Sequence, residues 1–466
     1  MYSDALIAAK IARLERDLGT VLPGGKLESI PVDHCHAMVR SLEGIYDHAR
    51  KLPIRGFTPE EQIFVANERL RCPLDFSYFA QRYWLIQSEG QTLKPLYPLW
   101  ESQRLILAEL ARQEESRWRS RHPDGLLCNG LKGRQLGFST LAEALLGHRV
   151  VTQTYVKGLV ASDVPQNSGS QGIFGMLELG FSHLPWWLKP GVKFWNTDSH
   201  LVLANGSSII VESGKSMKGG LQEEGGQKGQ LGRSKTYSVG HLTELSTWEY
   251  AETIDDALMP AIPQTPRTLF LKESTAKGRH NWWHEEWLAT EQGLTRSFNI
   301  FIPWYAERSK YWLPCPDGWV PSDDTLAFAA RVRDKGPQYM HRSVTLSKEQ
   351  LYWYELRKAE AIHKGHLYKF LEEYPAEPEE AFQYSGRSIF SIETMDRLER
   401  QAKPLVDLWQ VAPHGELKED REALLRELAA EQRVDRERLA AERLRAASAL
   451  PEGPGPQTLV IDSPAE

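Results

Sequence analysis

The segment GLLCNGLKGRQLGFSTLAEALLGHRVVT, residues 125–152, decides the fold. It begins with a short apolar run, GLLCNG, passes through a turn rich in small residues, KGRQLGFST, and ends in an amphipathic stretch, LAEALLGHRV. A short apolar run bounded by glycine is typical of a buried strand, and apolar residues three and four positions apart are typical of a helix. The segment therefore predicts a strand, a tight turn and a helix in succession.

Four more strand candidates follow, with helical stretches between several of them. They are KGLVASD (157–163), SSIIVES (207–213), TYSVGHLTE (236–244) and RTLFLKEST (267–275). Short β-rich segments that alternate with helices favour a mostly parallel sheet with both faces covered. We therefore predict an α/β fold with a mainly parallel central sheet flanked by helices.

The turn at residues 132–140 is a candidate phosphate-binding loop. A turn between a strand and a helix points backbone N–H groups and the positive end of the helix dipole at phosphate oxygens. Compared with the consensus GxxxxGK[ST], Gly137 and Ser139 hold the later glycine and the magnesium-binding hydroxyl, but Phe138 holds the lysine position. We expect Lys132 or Arg134, at the start of the loop, to reach the phosphates instead. When this motif is judged by itself, the alternative that it is an ordinary basic turn before a helix stays open.

A second stretch, Ser213-Gly214-Lys215-Ser216, contains a literal GKS. Ile209 stands where the first glycine of the consensus belongs, and the glycine-rich residues 217–232 do not favour the required helix. The stretch is more typical of a basic loop that contacts DNA phosphates or the nucleotide of a neighbouring subunit. Its cations are Lys215, Lys218, Lys228, Arg233 and Lys235.

Two later strand ends carry residues suited to ATP hydrolysis. Hydrolysis needs a carboxylate at a neighbouring strand end to polarise water, usually beside a metal-binding aspartate. Glu244 follows one strand, with Thr243 where the aspartate is expected, and the small residues 274–276 (Ser274, Thr275 and Ala276) end the next. Each feature taken by itself also has a non-functional explanation: Glu244 could be an exposed acid, and residues 274–276 could be ordinary small residues after a strand. Their order and spacing together favour a hydrolytic site.

These motifs resemble those of a known family. KGRQLGFST, HLTELSTW and KESTAKG, followed by WWHEEW and FIPWY, resemble the successive ATPase motifs of the large terminase subunits of tailed bacteriophages. FLEEYPAEPEEAFQYSGRSIF is similar to the segment with which many of these proteins leave the ATPase domain. The resemblance spans roughly Phe76 to Phe390 and implies an ASCE-type P-loop NTPase fold.

The resemblance also implies roles for individual residues. Lys132 resembles a displaced phosphate-binding lysine, and Glu244 resembles the catalytic acid. The implied ATP-binding set is Gln103, which would read adenine, with Lys132, Gly133, Arg134, Gln135, Gly137, Ser139 and Thr140. Ser139 would bind Mg²⁺, residues 274–276 would couple hydrolysis to movement, and Arg233 or Arg149 are candidates for an arginine finger.

The family implies a motor that pumps double-stranded DNA into a procapsid. Its cofactors would be ATP and Mg²⁺, and its partners would be DNA, the portal protein, the small terminase subunit and further copies of itself in a ring. It would work in the cytoplasm of the infected bacterium and at the portal vertex. A helicase-like DNA-dependent ATPase and a non-hydrolysing ATP-binding scaffold stay open, the latter because of Phe138 and Thr243.

Composition is compatible with this interpretation and argues against a membrane protein, a protein with a wholly basic surface and a disulfide-rich protein. The 466 residues are 41% hydrophobic and 25% charged, which is typical of a globular protein with two or three domains. No apolar run approaches the roughly 18 residues that cross a bilayer, so we expect no membrane partner. A net charge of −6 argues against a surface covered in basic residues. The dispersed cysteines Cys35, Cys72, Cys128 and Cys315 predict reduced thiols.

The predicted organisation follows the changes in pattern along the chain. We expect a helical N-terminal region (1–95), an ATPase core (96–330), a lid or linker subdomain (331–405), a charged helix (406–450) and a linker (451–466) toward an absent nuclease domain. A two-metal nuclease needs several converging carboxylates. After residue 450 the acidic residues are Glu452, Asp462 and Glu466. We therefore expect no DNA cleavage by this chain.

Overall fold

An eight-stranded sheet lies at the centre of the part of the chain that the structure, a computed structural model, describes. That part comprises residues 2–17, 26–88, 90–122, 124–196, 199–214, 236–279 and 281–382. The strands are β1 (Tyr46–Asp47), β2 (Leu52–Pro53), β3 (Leu85–Gln87), β4 (Leu93–Pro95), β5 (Leu126–Lys132), β6 (Lys157–Ser162), β7 (Val192–Asn196), β8 (His200–Leu203), β9 (Ser208–Ser213), β10 (Val239–Thr243), β11 (Leu269–Ser274) and β12 (Phe298–Ile302).

Helices precede, separate and follow these strands. They are α1 (Asp4–Asp17), α2 (Val32–Gly44), α3 (Pro59–Arg71), α4 (Phe76–Tyr83), α5 (Glu101–Arg119), α6 (Phe138–Thr152), α7 (Pro165–Ser168), α8 (Ile173–Ser182), α9 (Ala251–Leu258), α10 (Trp282–Glu291), α11 (Asp323–Met340), α12 (Lys348–His363), α13 (Leu367–Glu373) and α14 (Pro378–Ala381). The predicted strand, turn and helix of residues 125–152 are confirmed as β5, the loop and α6.

The strand order of the sheet is β12-β5-β11-β10-β6-β9-β8-β7. All neighbouring pairs from β12 to β9 are parallel, and β8 and β7 continue the sheet in antiparallel pairing. One strand, β11, lies between the loop strand β5 and the carboxylate strand β10, which is the ASCE arrangement of a P-loop NTPase. The predicted fold class is confirmed. The antiparallel edge was not predicted.

Alternation along the strands sorts polar side chains onto the two faces of the sheet. Glu273 contacts Lys132, His241 and Thr243 on the face that α6 covers. Lys272, the neighbour of Glu273 in β11, contacts α10 on the other face. The strand register therefore brings residues from three strands together beneath the first turn of α6.

The N-terminal region packs on α6, the helix that covers this face. Trp84 follows α4 and lies against α6 and α8 so closely that a Cβ on Gly147 or Gly180 would come within 2.0 or 2.3 Å of its ring. Phe76 and Phe79 of α4 contact the ring of His148 in α6, at centroid separations of 5.5 and 5.0 Å. The first 95 residues thus support α6 from behind, and besides helices they contain the short ladders β1–β2 and β3–β4.

Aromatic residues pack helices α11, α12 and α13 against the same core. Phe328 of α11 stacks on Tyr354 of α12 at 3.8 Å, and Trp304, just after β12, stacks on Tyr354 at 5.8 Å. One continuous apolar cluster runs from Ile30 to Ala376. The described part of the predicted lid, residues 331–382, is therefore packed on the ATPase core, and the proposed domain boundaries stay predictions. The charged helix, the linker, Asp462 and Glu466 lie outside the described residues.

Candidate active site

A cavity of about 480 Å³ opens beside the carboxyl-terminal end of β5. The phosphate-loop candidate forms one wall, and β3, β4 and the start of α5 form the others. Its lining includes Lys94, Tyr97, Pro98, Trp100, Gln103, Lys132, Gln135, Gly137, Ser139, Thr140, Met176 and Lys310. Ligands of parallel α/β sheets bind outside the carboxyl ends of the strands, so this cavity has the position expected of a nucleotide site.

The backbone of the loop is shaped by two residues in left-handed conformations. Gln135 has φ 52°, and Gly137 has φ 73° immediately before α6. A Cβ on Gly137 would lie 2.8 Å from the side-chain nitrogen of Gln103, so glycine is needed for space as well as for conformation. The first amides of α6 have no acceptor within the helix, and their residues line the cavity. The loop therefore has backbone amides placed as a phosphate-binding loop requires, and phosphate binding itself stays a prediction.

Phe138 explains why the usual lysine is missing. Its side chain is only 2% exposed and packs against β5, where a Cβ on Gly130 would come within 2.5 Å of the ring. Burying a phenylalanine contributes roughly 1.5 to 3 kcal/mol to folding. The first residue of α6 thus anchors the helix on the sheet, and the phosphate cation has to come from another position.

Lys132, the last residue of β5, is the cation that the sequence predicts for this role. It lines the cavity, and its Nζ lies 3.0 Å from a carboxylate oxygen of Glu273, at the end of the adjacent strand. Burial by itself would lower the pKa of Lys132, but Glu273 and Glu244 outweigh it and hold that pKa above its usual value. The lysine stays charged next to the loop, as its predicted role requires.

Ser139 and Thr140 begin α6 on the wall of the cavity. The Ser139 hydroxyl donates a hydrogen bond of 2.6 Å to Glu273, whereas the Thr140 hydroxyl makes only a weak 3.8 Å contact with the sulfur of Met176. Of the two hydroxyls predicted on the magnesium side, Ser139 is therefore the one held beside a carboxylate.

Glu244 directly follows β10 in a left-handed conformation, with φ 58°. This conformation is uncommon for a residue with a side chain and is often found at functional sites. Burial raises the pKa of Glu244 above the ordinary glutamate value, against the attraction of Lys132. A raised pKa improves a carboxylate as a proton acceptor near neutral pH.

Of the predicted coupling residues, Ser274 contacts the segment that follows Glu244. The Ser274 hydroxyl donates to the hydroxyl of Ser246 at 2.9 Å and accepts from the Ser246 backbone amide at 3.1 Å. These bonds connect the end of β11 to the turn after β10. Thr275 and Ala276 follow at the same strand end.

Arg134 is directed away from the cavity. Its guanidinium lies 2.6 Å from the carboxylate of Glu373 in α13, and its amide donates to the Glu373 carbonyl at 2.8 Å. The Tyr311 hydroxyl donates to the Arg134 carbonyl. Arg134 thus ties the loop to the C-terminal helices, and its predicted contact with phosphate would need its side chain to leave Glu373.

Gln103, in the first turn of α5, contacts the loop. Its side-chain amide donates to the Gly137 carbonyl at 3.1 Å, and its side-chain oxygen accepts from the Trp100 amide at 3.1 Å. Both ends of the amide group are therefore engaged within the protein, although Gln103 lines the cavity. Its predicted reading of adenine stays a prediction.

Arg149, one of the two arginine-finger candidates, does not lie at this site. Arg149 is 4% exposed in the last turn of α6, where it contacts the Tyr2 hydroxyl and lines a different cavity of about 750 Å³. This burial does not suit a residue that inserts into a neighbouring subunit. Arg233, and the basic loop from Lys215 to Lys235, lie outside the described residues.

Sequence reasoning missed Glu273, the carboxylate on which the site converges. It is fully buried and contacts Lys132, Ser139, Thr243 and, at 3.5 Å, His241. Its position after the run LFLK of β11 was visible, but only the strand order shows that β11 lies between β5 and β10. On the same face of the sheet, His241 in turn contacts Glu143 of α6 at 2.6 Å.

The chemistry of the site suits ATP and Mg²⁺. Mg²⁺ prefers oxygen ligands, and hydroxyl or carboxylate oxygens of Ser139, Thr243, Glu244 and Glu273 lie at or beside the loop. No cluster of three or more histidine, cysteine or acidic side chains with metal-binding geometry occurs among the described residues. These residues therefore fit a Mg²⁺ site in which nucleotide phosphates supply further ligands better than a site whose ligands all come from the protein. In the described chain, no helix combines the length and apolarity that a membrane span requires.

No protein-family model and no curated protein matches this sequence. Among solved structures, the chain is similar to the large terminase of bacteriophage HK97 (12% identity, TM-score 0.41), with 66% of this chain and 55% of that chain covered. It is also similar to the large terminase ATPase domain of Thermus phage P74-26 (16%, 0.33; 57% and 92% covered). A third is the large terminase of another thermophilic bacteriophage (12%, 0.30; 53% of each chain covered). All three of these similar structures are large terminase chains of bacteriophages, the family that the sequence motifs resemble.

Proposed function

We propose that this chain is a Mg²⁺-dependent ATPase that drives double-stranded DNA into a viral procapsid, as the motor of a large terminase subunit. The observation that carries the proposal is that Lys132, at the end of β5, and Ser139, in the first turn of α6, line one cavity, while Glu244, directly after β10, lies close enough to Lys132 to interact with its charge. A phosphate cation, a metal-side hydroxyl and a water-activating carboxylate are the parts that phosphoryl transfer from ATP requires.

Each residue has a role that its surroundings support. The loop amides and Lys132 bind the phosphates and stabilise the negative charge that develops on them. Glu244, with its raised pKa, orients the attacking water and accepts its proton. A bound Mg²⁺ would neutralise phosphate charge, and Ser139 is the residue that would hold it.

Two connections could carry a change at the phosphates to the rest of the protein. Ser274 links the end of β11 to Ser246 in the turn that follows Glu244. Arg134 links the loop to Glu373 of α13. Both connections begin at residues next to the site and end on other elements, which suits a motor whose hydrolysis moves a neighbouring segment.

The first experiment measures ATP turnover of the purified chain with and without double-stranded DNA. Turnover that DNA stimulates is expected, and Glu244→Gln should lower it by about 10²- to 10⁴-fold while ATP affinity is retained, because the amide keeps the shape but not the base. ATP binding without turnover would instead favour an assembly scaffold. Unwinding of duplex DNA would favour a helicase.

The viral setting is a further part of the proposal, supported by the terminase-like motifs. The partners would be the portal protein, the small terminase subunit and other copies of this chain in a ring, in the cytoplasm of the infected host. Procapsids incubated with the chain, ATP and DNA should protect that DNA from added nuclease. Protection that also occurs with Glu244→Gln would argue against ATP-driven packaging.

A further inference from the structure

The carboxylate expected on the metal side of the site is missing from its usual strand. Position 243, directly before Glu244, is a threonine, and a neutral hydroxyl does not supply the negative charge that helps to hold Mg²⁺. Thr243 lies opposite Glu273 in the parallel register of β10 and β11, and its hydroxyl donates to a Glu273 oxygen at 2.7 Å. The nearest charge is therefore at the same level of the sheet, one strand away.

The oxygen of Glu273 that Thr243 contacts also accepts a hydrogen bond from Ser139. The Ser139 Oγ to Glu273 Oε1 distance is 2.6 Å, and Ser139 is the hydroxyl at the magnesium position of the loop. Adjacent strands lie about 4.8 Å apart, and the side chain of glutamate is one methylene longer than that of aspartate. This extra reach partly compensates for the move to the neighbouring strand.

The charge of Glu273 is stabilised although the residue is fully buried. Lys132 is close enough to pair with it, and the hydroxyls of Ser139 and Thr243 both donate to its Oε1. The buried carboxylate therefore has one cation and two hydrogen-bond donors beside it. Its other oxygen faces Lys132 at 3.0 Å, so one carboxylate contacts both the phosphate cation and the metal-side hydroxyl.

We propose that Glu273 supplies the negative charge on the magnesium side of this site and fixes the Ser139 hydroxyl toward the metal, in place of an aspartate at position 243. Glu273 is not part of the cavity wall, whereas Ser139 is, so Glu273 acts through Ser139 as a positioning residue. The inference rests on the proposed function, because it concerns the metal of the same nucleotide site.

A purely structural role for Glu273 would have different consequences. If Glu273 only neutralised Lys132 and supported the loop, removing its charge would weaken nucleotide binding equally with and without metal. A metal-side role affects only the part of the affinity that Mg²⁺ adds. The two roles are thus separated by comparing nucleotide binding in Mg²⁺ and in EDTA.

The experiment measures the Kd of a fluorescent ATP analogue for the full chain in excess Mg²⁺ and in EDTA. The wild-type chain should bind more tightly in Mg²⁺. In Glu273→Gln this gain should shrink by about 10- to 100-fold, as for other residues that orient metal ligands, while the Kd in EDTA changes by no more than about twofold. Mn²⁺ bound with the nucleotide, followed by its electron paramagnetic resonance spectrum, should decrease in parallel.

Two further variants serve as rescue and control. Adding Thr243→Asp to Glu273→Gln returns a carboxylate to the usual strand and should restore most of the Mg²⁺ gain. Glu286→Gln removes a carboxylate from a largely buried ion pair on the opposite face of the sheet and should leave both Kd values unchanged. If Glu273→Gln does not fold, Glu273→Asp, which keeps the charge but retracts it, should show a smaller loss of the same Mg²⁺ gain.

The outcomes separate this inference from the proposed function. A full Mg²⁺ gain in Glu273→Gln, or equal losses in Mg²⁺ and EDTA, would overturn the role of Glu273 and leave the ATP site standing. Absence of rescue by Thr243→Asp would also count against it. A wild-type chain that binds no ATP in either condition would overturn the proposed function itself.

Discussion

Lys272 and Glu273 are consecutive residues of β11, both are buried and both are ion-paired, yet they serve different regions of the molecule. Lys272 contacts Glu286 of α10 at 2.7 Å and Asp255 of α9 at 3.6 Å. Glu273 contacts Lys132 and Ser139, which belong to the wall of the cavity. Burial and pairing are common to both faces of the sheet. Of these two residues, only Glu273, on the face that α6 covers, contacts the candidate phosphate loop. Position next to that loop, and not burial or ion pairing, therefore separates a candidate site residue from a structural one.

The largest expected effect concerns the structural face. Lys272→Ala leaves Glu286 and Asp255 without their shared cation in a buried place, which should lower the free energy of unfolding by about 3 to 5 kcal/mol. Urea unfolding followed by circular dichroism measures this change. The double variant Lys272→Met with Glu286→Gln is the matched control, because it removes both charges and should be less destabilised. Equal losses in the two variants would show that packing, and not the unpaired charge, determines the effect.

On the α6 face, the corresponding lysine should matter for catalysis. Lys132→Ala should lower ATP turnover by about 10²- to 10³-fold, the usual effect of removing one group that stabilises developing phosphate charge. Lys215→Ala, in the GKS sequence, should leave the turnover of the isolated chain nearly unchanged. The opposite pattern, with Lys215 essential and Lys132 dispensable, would move the nucleotide site to the GKS segment.

The third effect is a pH dependence of stability that we expect from the face of the sheet that α6 covers. Burial alone would lower the pKa of His241, but Glu143 and Glu273 raise it to about 9, against about 6.5 in an unfolded chain. Because the folded pKa is the higher one, this contribution to stability is complete below about pH 6.5 and is lost as the pH rises toward 9. Relative to His241→Gln, the wild-type chain should therefore lose roughly 2 kcal/mol between pH 7 and pH 9. Urea unfolding across this pH range tests it, and a pH-independent difference would assign the variant's cost to packing.

The sequence predicted the strands that carry the site but not how they are ordered in the sheet. Periodicity and composition are local properties, and they located β5, β6, β9, β10 and β11 correctly. Strand order depends on long-range pairing, so the contact between Glu273 and Ser139, separated by 134 positions, could not be read from either segment. The displaced lysine was expected because Phe138 is apolar, and the structure adds that Phe138 packs on Gly130.

The outermost strand of the antiparallel edge, β7, and the wall strand β4 were missed for a related reason. Leu93 and Lys94 are exposed in β4, and several residues of β7 are exposed as well. Exposed strands lack the buried apolar run that makes a strand visible in a sequence. The cavity therefore has one wall, near Tyr97 and Lys310, whose residues no motif indicated.

The smallest expected effect concerns the pair of Arg134 and Glu373, which links the site to the C-terminal helices. Both side chains are substantially exposed, 56% and 40%, so the pair itself contributes little to stability. Its position is more informative, because Arg134 belongs to the phosphate loop while its side chain is directed at α13. If ATP attracts this arginine, binding must first separate it from Glu373.

Glu373→Gln should therefore free Arg134 and tighten ATP binding by about two- to fivefold, which corresponds to roughly 0.4 to 1 kcal/mol. Isothermal titration at low and moderate salt measures the effect, which salt should reduce because both partners are exposed. Arg134→Ala alone should weaken binding, and the double variant should bind like Arg134→Ala, since the glutamate acts only through the arginine. The backbone bond from Arg134 to Glu373 remains in every variant, so the loop keeps its attachment. A gain in affinity that persists in the Arg134→Ala background would show that Glu373 repels the phosphates directly, and the pair would then have no part in linking the loop to α13.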